Sequence, residues 1–201
     1  FWMGIKDTQI QNLILEVAAD NFQDETRVSS FLGNAYVEVA PLKGLTLRSS
    51  FSASVYNSRR GEFRGQDSKA RLNKLPIASN RNDMNGSYTW DNILSYKLKT
   101  GSHEFNITAG QSAFQERFET STIAVENLPY NSGWYALNTA EIIKSVGSNL
   151  VERSIMSYMG RVNYILNDKY LLTLTGRYDG SSVLAEGNQW AFFPSAALAW
   201  R

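Results

Sequence analysis

Cysteine is absent from the 201 residues and histidine occurs once, at His103. The first absence excludes a disulfide framework and any thiolate metal site. The second removes multi-histidine metal centres and places the one imidazole beside Glu104 after a turn, where a surface role is the ordinary outcome. Charge of one sign is also missing, since 20 basic residues are interspersed with 19 acidic ones and the formal net charge is +1. Without a basic stripe there is no footprint for a phosphate backbone, so no nucleic-acid partner is expected. No apolar run approaches the roughly 18 residues of a membrane helix. The opening "FWMGIKDTQI" lacks the basic and apolar regions of a signal peptide, so the chain is expected to begin after processing or inside a longer protein. No phosphate-binding glycine loop or nucleophile elbow occurs, and "NDMNG" at 82–86 lacks the order of a calcium loop and reads as a turn. No catalytic residue, metal site or cofactor is therefore expected, and the chain does not read as an enzyme.

What the sequence has instead is alternation. In "FLGNAYVEV" the odd positions Phe31, Ala35, Val37 and Val39 are apolar or small and Asn34, Tyr36 and Glu38 take the other side. "LTLRSSFSASVY" sets Leu45, Leu47, Phe51 and Val55 against Arg48, Ser50 and Ser52. The same pattern runs through "YTWDNILSYKL" and "EFNITAGQSA", through 156–164, through 170–178 and through 190–200. About seven strands result, each near the roughly 9 to 11 residues that cross a bilayer at a tilt.

Short and long connections alternate between these strands. "PLKG" at 41–44, "KTGS" at 99–102 and "NDK" at 167–169 are tight turns, while 57–86, 115–152 and 180–188 are long polar links and 1–30 precedes the first strand. A soluble sandwich has no reason for that rule. An outer-membrane barrel does, with short periplasmic turns and long extracellular loops. Serines, amides and charges on the second face suit a water-filled lumen better than a packed core. Arg48, Asp91, Arg161, Arg177 and Asp179 are the lumen-facing candidates, and the aromatic residues near strand ends suit interfacial girdles. Arg177 and Asp179 share a strand face and also read as a simple pair. In the longest link Tyr130, Trp134 and Tyr135 are the candidates for contact with a partner or substrate, because exposed aromatics stack on sugars or anchor protein interfaces. A short helix is expected in "GWYALNTAEIIKSV", with Trp134, Leu137, Ile142 and Ile143 on one face.

The closing stretch carries a resemblance. "GRVNYILNDKYLLTLTGRYDGSS" followed by "QWAFFPSAALAWR" resembles the barrel signature of the SusC/RagA-type TonB-dependent outer-membrane transporters: a Gly-Arg-Val-Asn-Tyr strand, a Tyr-Leu-Leu strand, an Arg-x-Asp-Gly-Ser-Ser corner and a Phe-Pro-Ser strand. "FLGNAYVEVAPLKGLTLRSSF" is similar to an earlier hairpin of that family. "VLAEGNQW" departs from it, where basic and aromatic residues usually follow the serine pair. The resemblance implies an all-β fold, an antiparallel up-and-down transmembrane segment of about seven strands from a barrel of about 22. Residues 1–30 are then an extracellular loop segment and 31–201 barrel strands and loops, with the plug domain absent. It further implies import of oligosaccharides or peptides at the outer membrane of a Gram-negative bacterium. The implied partners are a SusD-like surface lipoprotein, a TonB complex engaged through the missing N-terminal region, and outer-membrane lipid. A soluble all-β binding or adhesion module and a passive porin segment are the alternatives.

Overall fold

A computed structural model describes residues 20–71 and 74–201, and residues 1–19 of the expected leading loop lie outside that range. Seven strands follow one another: β1 (Phe22–Leu42), β2 (Leu45–Arg64), β3 (Ile77–Thr100), β4 (His103–Glu126), β5 (Ile142–Leu166), β6 (Tyr170–Ser181) and β7 (Trp190–Trp200). They form one sheet in chain order, β1 to β7, the up-and-down arrangement that tight turns alone can build. The pairings of β6 run antiparallel on both sides: Val162 faces Leu174, and Leu174 in turn faces Ala196.

The tight turns lie where the punctuation residues put them. Gly44 and Gly101 adopt φ of 82° and 54°, and Asn167 and Asp168 adopt 53° and 54°, the left-handed pair of a hairpin turn that matches strand twist. At the opposite end the strands outrun the expectation. β1 begins at Phe22 rather than 31, β2 continues to Arg64, β3 starts at Ile77 and so absorbs the "NDMNG" segment, and β4 and β5 leave only 127–141 between them. Apolar alternation marks only the part of a strand that faces an apolar medium, so "SRRGEFR" looks like a loop while remaining in the backbone ladder. Cross-strand ion pairs accompany these extensions: Arg60 Nη2 lies 3.0 Å from Asp24 Oδ2, Lys144 Nζ 2.7 Å from Glu126 Oε1 and Arg153 Nη2 2.8 Å from Glu116 Oε2. The expected loop helix is not formed. Only a 3-10 turn, Leu137–Thr139, is present, and Ile142 and Ile143 open β5, as their β-branched side chains favour.

The chain divides into two compact units. One holds the described residues among 20–29, 56–84 and 119–150; the other holds 30–55, 85–118 and 151–201. The first has a small core of Phe63, Ala78, Val125, Leu128 and Trp134, with Ile123, Leu137 and Ala140 packed against it. The second contributes no residue to that buried set, and Phe51, Trp90, Leu94, Ile107, Leu174, Phe192 and Leu198 are all exposed. An apolar surface this extensive needs an apolar medium.

Most exposed side chains of the second unit are sorted by face, with Leu32, Ile93 and Phe193 as apolar residues on the polar side. Phe51 stacks on Tyr88 and Trp90 Nε1 donates to Ser49 at 3.0 Å, which puts odd positions of β2 with even positions of β3. Asn92 donates to Gln111 and Phe105 stacks on Tyr164, which carries the same face across β4 to β5. The register then carries it through Leu172 to Leu198. This is the apolar face. It has two aromatic rows: Tyr158 and Tyr178 beside Trp190, with ring centroids 6.3 and 4.7 Å from it, and Tyr170 opposite Trp200 near the tight turn. Trp190 and Trp200 are about ten residues apart, roughly 33 Å along a strand and about 25 Å across a bilayer at the usual tilt. That matches the height of a lipid-facing band.

Introducing Arg at Leu174 of the assembled barrel is therefore expected to cost about 2 to 4 kcal/mol, and Arg at the adjacent Thr175 much less. Urea unfolding from lipid vesicles measures both. Equal losses would mean that the two positions do not sit on opposite sides of a membrane wall.

Candidate functional site

The polar face gathers the charged candidates. Asn34 donates to Ser52, Arg48 lies 4.2 Å from the Tyr36 ring centroid and Arg177 donates to Ser157 at 3.2 Å, all on the parity opposite to Phe51, Tyr164 and Leu172. Arg48, Asp91, Arg161, Arg177 and Asp179 consequently share one face. Only part of the set meets. A hollow of about 180 Å³ is lined by Asp91, Ser112, Ser157, Met159 and Arg177, over the backbone of Gly110. Arg177 Nε bonds both oxygens of Asp179, at 2.8 and 2.7 Å, so the corner pair read from the sequence exists and orients the guanidinium beside the hollow. Asp91 faces the same space from β3. Arg161 instead donates to Thr175 at 3.2 Å, and Arg48 is taken up by Tyr36.

Small residues make the hollow, and the sequence reading passed over them. Gly110 cannot carry a side chain without meeting Met159 at 2.9 Å, and Ser157 is nearly fully buried beneath Arg177. A run of Gly and Ser at the polar parity of β4 and β5 was the available signal. Chemically the hollow offers one carboxylate, one guanidinium and two hydroxyls, a set that suits hydrogen bonding to a polar solute rather than bond making. Among the described residues no group of three or more His, Cys, Asp and Glu side chains could hold a metal ion.

The loop aromatics divide differently from expectation. Trp134 is 0% exposed, whereas Tyr130 and Tyr135 are 55% and 56% exposed. Trp134 is thus a packing residue of the first unit and is withdrawn as a surface contact. The reason lies in β2: a Cβ on Gly61 would sit 1.9 Å from the indole, so only glycine leaves the slot that the ring occupies. Arg59 lies 4.7 Å from the Trp134 ring centroid, and Tyr135 stacks on it at 4.3 Å. Arg27 Nη2 donates to the Tyr135 hydroxyl at 2.8 Å while Glu25 accepts from Arg27, so Tyr135 is held in place with much of its ring exposed. Nearby, the Arg60 guanidinium donates to Asp24 and holds its carboxyl below the usual carboxylate range. Lys144 does the same for Glu126.

Comparison with known proteins gives this geometry a set of relatives. No protein-family model matches the chain. "TonB-dependent receptor P26" of Formosa agariphila is 32% identical over 186 residues, covering 89% of this chain and 18% of that protein. "TonB-dependent receptor SusC" of Bacteroides thetaiotaomicron is 50% identical over 48 residues, 24% of this chain and 5% of that protein. Over this barrel fragment the chain is similar to the SusC/RagA-type TonB-dependent receptors. Its fold agrees: the RagAB peptide transporter superposes with a TM-score of 0.82 at 18% identity, over 90% of this chain and 20% of that one. The chain thus spans about a fifth of the length of the relatives it matches. Its two-faced sheet is a barrel segment, and its place is the outer membrane of a Gram-negative bacterium.

The role of Trp134 is open to direct measurement in the receptor. Its Nε1 is buried without a hydrogen-bond partner, so Trp134→Phe loses no hydrogen bond and should cost much less than Trp134→Ala. Trp134→Ala should remove about 3 to 5 kcal/mol of packing and expose 127–141 to protease. Gly61→Val should match the Ala variant. Limited proteolysis of the folded receptor reads all three, and protease sensitivity in Trp134→Phe equal to that of Trp134→Ala would contradict the packing role.

Proposed function

We propose that this segment is part of the wall of an importer that takes up oligosaccharides or peptides with TonB-derived energy and works with a SusD-like surface lipoprotein. Its role is passage and recognition, without catalysis. The observation that supports the reading is the separation of faces in the second unit, apolar outside and hydrogen-bonding inside, in a chain of receptor family. A water-filled lumen is the natural setting for Arg48, Asp91, Arg161, Arg177 and Asp179, because each charge keeps its hydration or a partner there. Within that set Asp91 and Arg177 are the residues proposed to touch cargo, since both line the hollow.

Two distinct contacts follow for the loop. Tyr130 and Tyr135 present exposed rings, and Tyr135 is already fixed by Trp134 and Arg27, so little conformational entropy remains to be lost on docking. Aromatic rings held in this way make good anchors for a protein lid. TonB engagement is assigned to sequence outside this segment.

In the complete receptor, Asp91→Asn and Arg177→Gln are each expected to weaken cargo uptake about tenfold, the effect of losing one charged hydrogen bond, with outer-membrane insertion unchanged. Replacing Tyr130 and Tyr135 together by Ala is expected to reduce co-purification of the lipoprotein without lowering that insertion. Undiminished uptake in both charge variants would remove the hollow from the cargo path, and undiminished lipoprotein yield would remove the loop from the lid interface.

A further inference from the structure

Between the two aromatic rows the apolar face of β5, β6 and β7 is unevenly filled. Gly160, Gly176 and Pro194 lie side by side in register; the Phe192 ring edge leans over Gly176, and the open backbone at this level is at Gly160. The result is a hollow of about 460 Å³ floored by backbone. Tyr158, Tyr178 and Phe192 form the next row and close it at the far end. Toward the tight turn the hollow passes over Val162, Leu174 and Ala196 into a second one, also about 460 Å³, between Leu172, Leu198, Tyr170 and Trp200. In-register pairing sets the two hollows in adjacent rows along β6, and together they form a trough.

The turn end of the trough is cationic. Lys169 Nζ lies 5.7 Å from the Tyr170 ring centroid and 5.5 Å from that of Trp200, which puts the ammonium at the rim of the apolar lining. An ammonium over aromatic rings at a membrane boundary is well placed for a phosphate. From Leu166 to Gly160 the trough runs about 20 Å along the strand and about 15 Å along the membrane normal at the usual tilt. That is one leaflet's share of a hydrocarbon core about 30 Å thick.

We propose that this trough holds one phospholipid of the leaflet on the tight-turn side, its phosphate against Lys169 and one acyl chain laid along β6 to the Gly160, Gly176 and Pro194 dent. The proposal rests on the barrel reading and adds a specific lipid site to it. Charge complementarity selects the headgroup end, and the trough's length and apolar lining select the chain. Backbone at the dent lets the chain approach more closely than it does on the rest of the face. Gly160 is the informative position, because a Cβ there meets nothing within 4 Å and its φ is not positive. A larger side chain can occupy the dent without disturbing the strand.

The test uses the full-length receptor in vesicles of phosphatidylethanolamine with a minority of phosphatidylglycerol, extracted into mild detergent and weighed by native mass spectrometry. Heat-modifiable gel migration reports barrel folding separately, and a receptor that never inserts would count against the barrel reading itself. The folded wild type is expected to retain one phospholipid. Lys169→Gln should lower that occupancy about fivefold, the effect of one lysine near a lipid phosphate. Gly160→Leu should lower it at least as much by filling the dent. Equal occupancy in all three folded proteins would overturn the site. Loss in Lys169→Gln with full retention in Gly160→Leu would overturn the chain trough, and the reverse pattern would overturn the phosphate contact.

Discussion

A backbone amide in hydrocarbon has no water to bond, and that constraint governs most of what this chain does. Each strand must give its N–H and C=O groups to neighbours, so segments crossing the membrane have to be members of a closed sheet. Seven strands paired in order, from β1 to β7, satisfy the interior of the sheet and leave the outer edges of β1 and β7 for other strands. In a barrel segment those edges are seams rather than rims. Side-chain chemistry is then free to serve the two media. On the apolar face Val162, Leu174 and Ala196 line up across three strands, and on the polar face Arg161, Thr175 and Ser195 do so one residue away. A slip of one residue in the pairing would exchange the two faces, so the burial of one face in lipid also fixes register.

The first unit obeys the opposite logic. Part of its apolar surface turns inward, and Phe63, Val125, Leu128 and Trp134 are almost wholly buried, while Ile143 and Val146 of β5 stay exposed. β2 carries Arg59, Arg60, Glu62 and Arg64 here, charges that favour water, and the small core lies among them. Gly61 is the residue on which that core depends: by having no side chain it admits Trp134, and Trp134 in turn supports Tyr135. A loop built in this way is a fixed feature of the surface, which matters for any partner that docks on it.

Strand existence, strand number and the alternation of short and long connections were legible in the sequence, because each is a local property. Alternation at 45–56 or 170–178 follows from one face meeting lipid, and Gly44, Gly101 and Asn167-Asp168 announce turns by their backbone preferences. Strand ends were not legible, because beyond the membrane band both faces are wet and the period-two signal vanishes while the hydrogen-bond ladder continues. The helix expected around Trp134 failed for a related reason. Spacing of Trp134, Leu137, Ile142 and Ile143 resembles one helical face, yet the slot at Gly61 and the pull of Ile142 and Ile143 into β5 decide the conformation, and both are tertiary facts. For the candidate site, the faces of Arg48, Asp91, Arg161, Arg177 and Asp179 followed from parity alone. Which of them share a hollow depended on Gly110, Ser112 and Ser157, whose small size has meaning only once neighbouring strands are aligned.

The most direct test of the two-faced wall is a nitroxide scan along β6, from Leu171 to Tyr178, in the complete receptor reconstituted in phospholipid vesicles. Electron paramagnetic resonance would compare accessibility to oxygen, which concentrates in lipid, with accessibility to a water-soluble nickel chelate. The account predicts high oxygen accessibility at Leu172, Leu174, Gly176 and Tyr178 and low values at Leu171, Thr173, Thr175 and Arg177. Alternation of the opposite phase, or none, would contradict it.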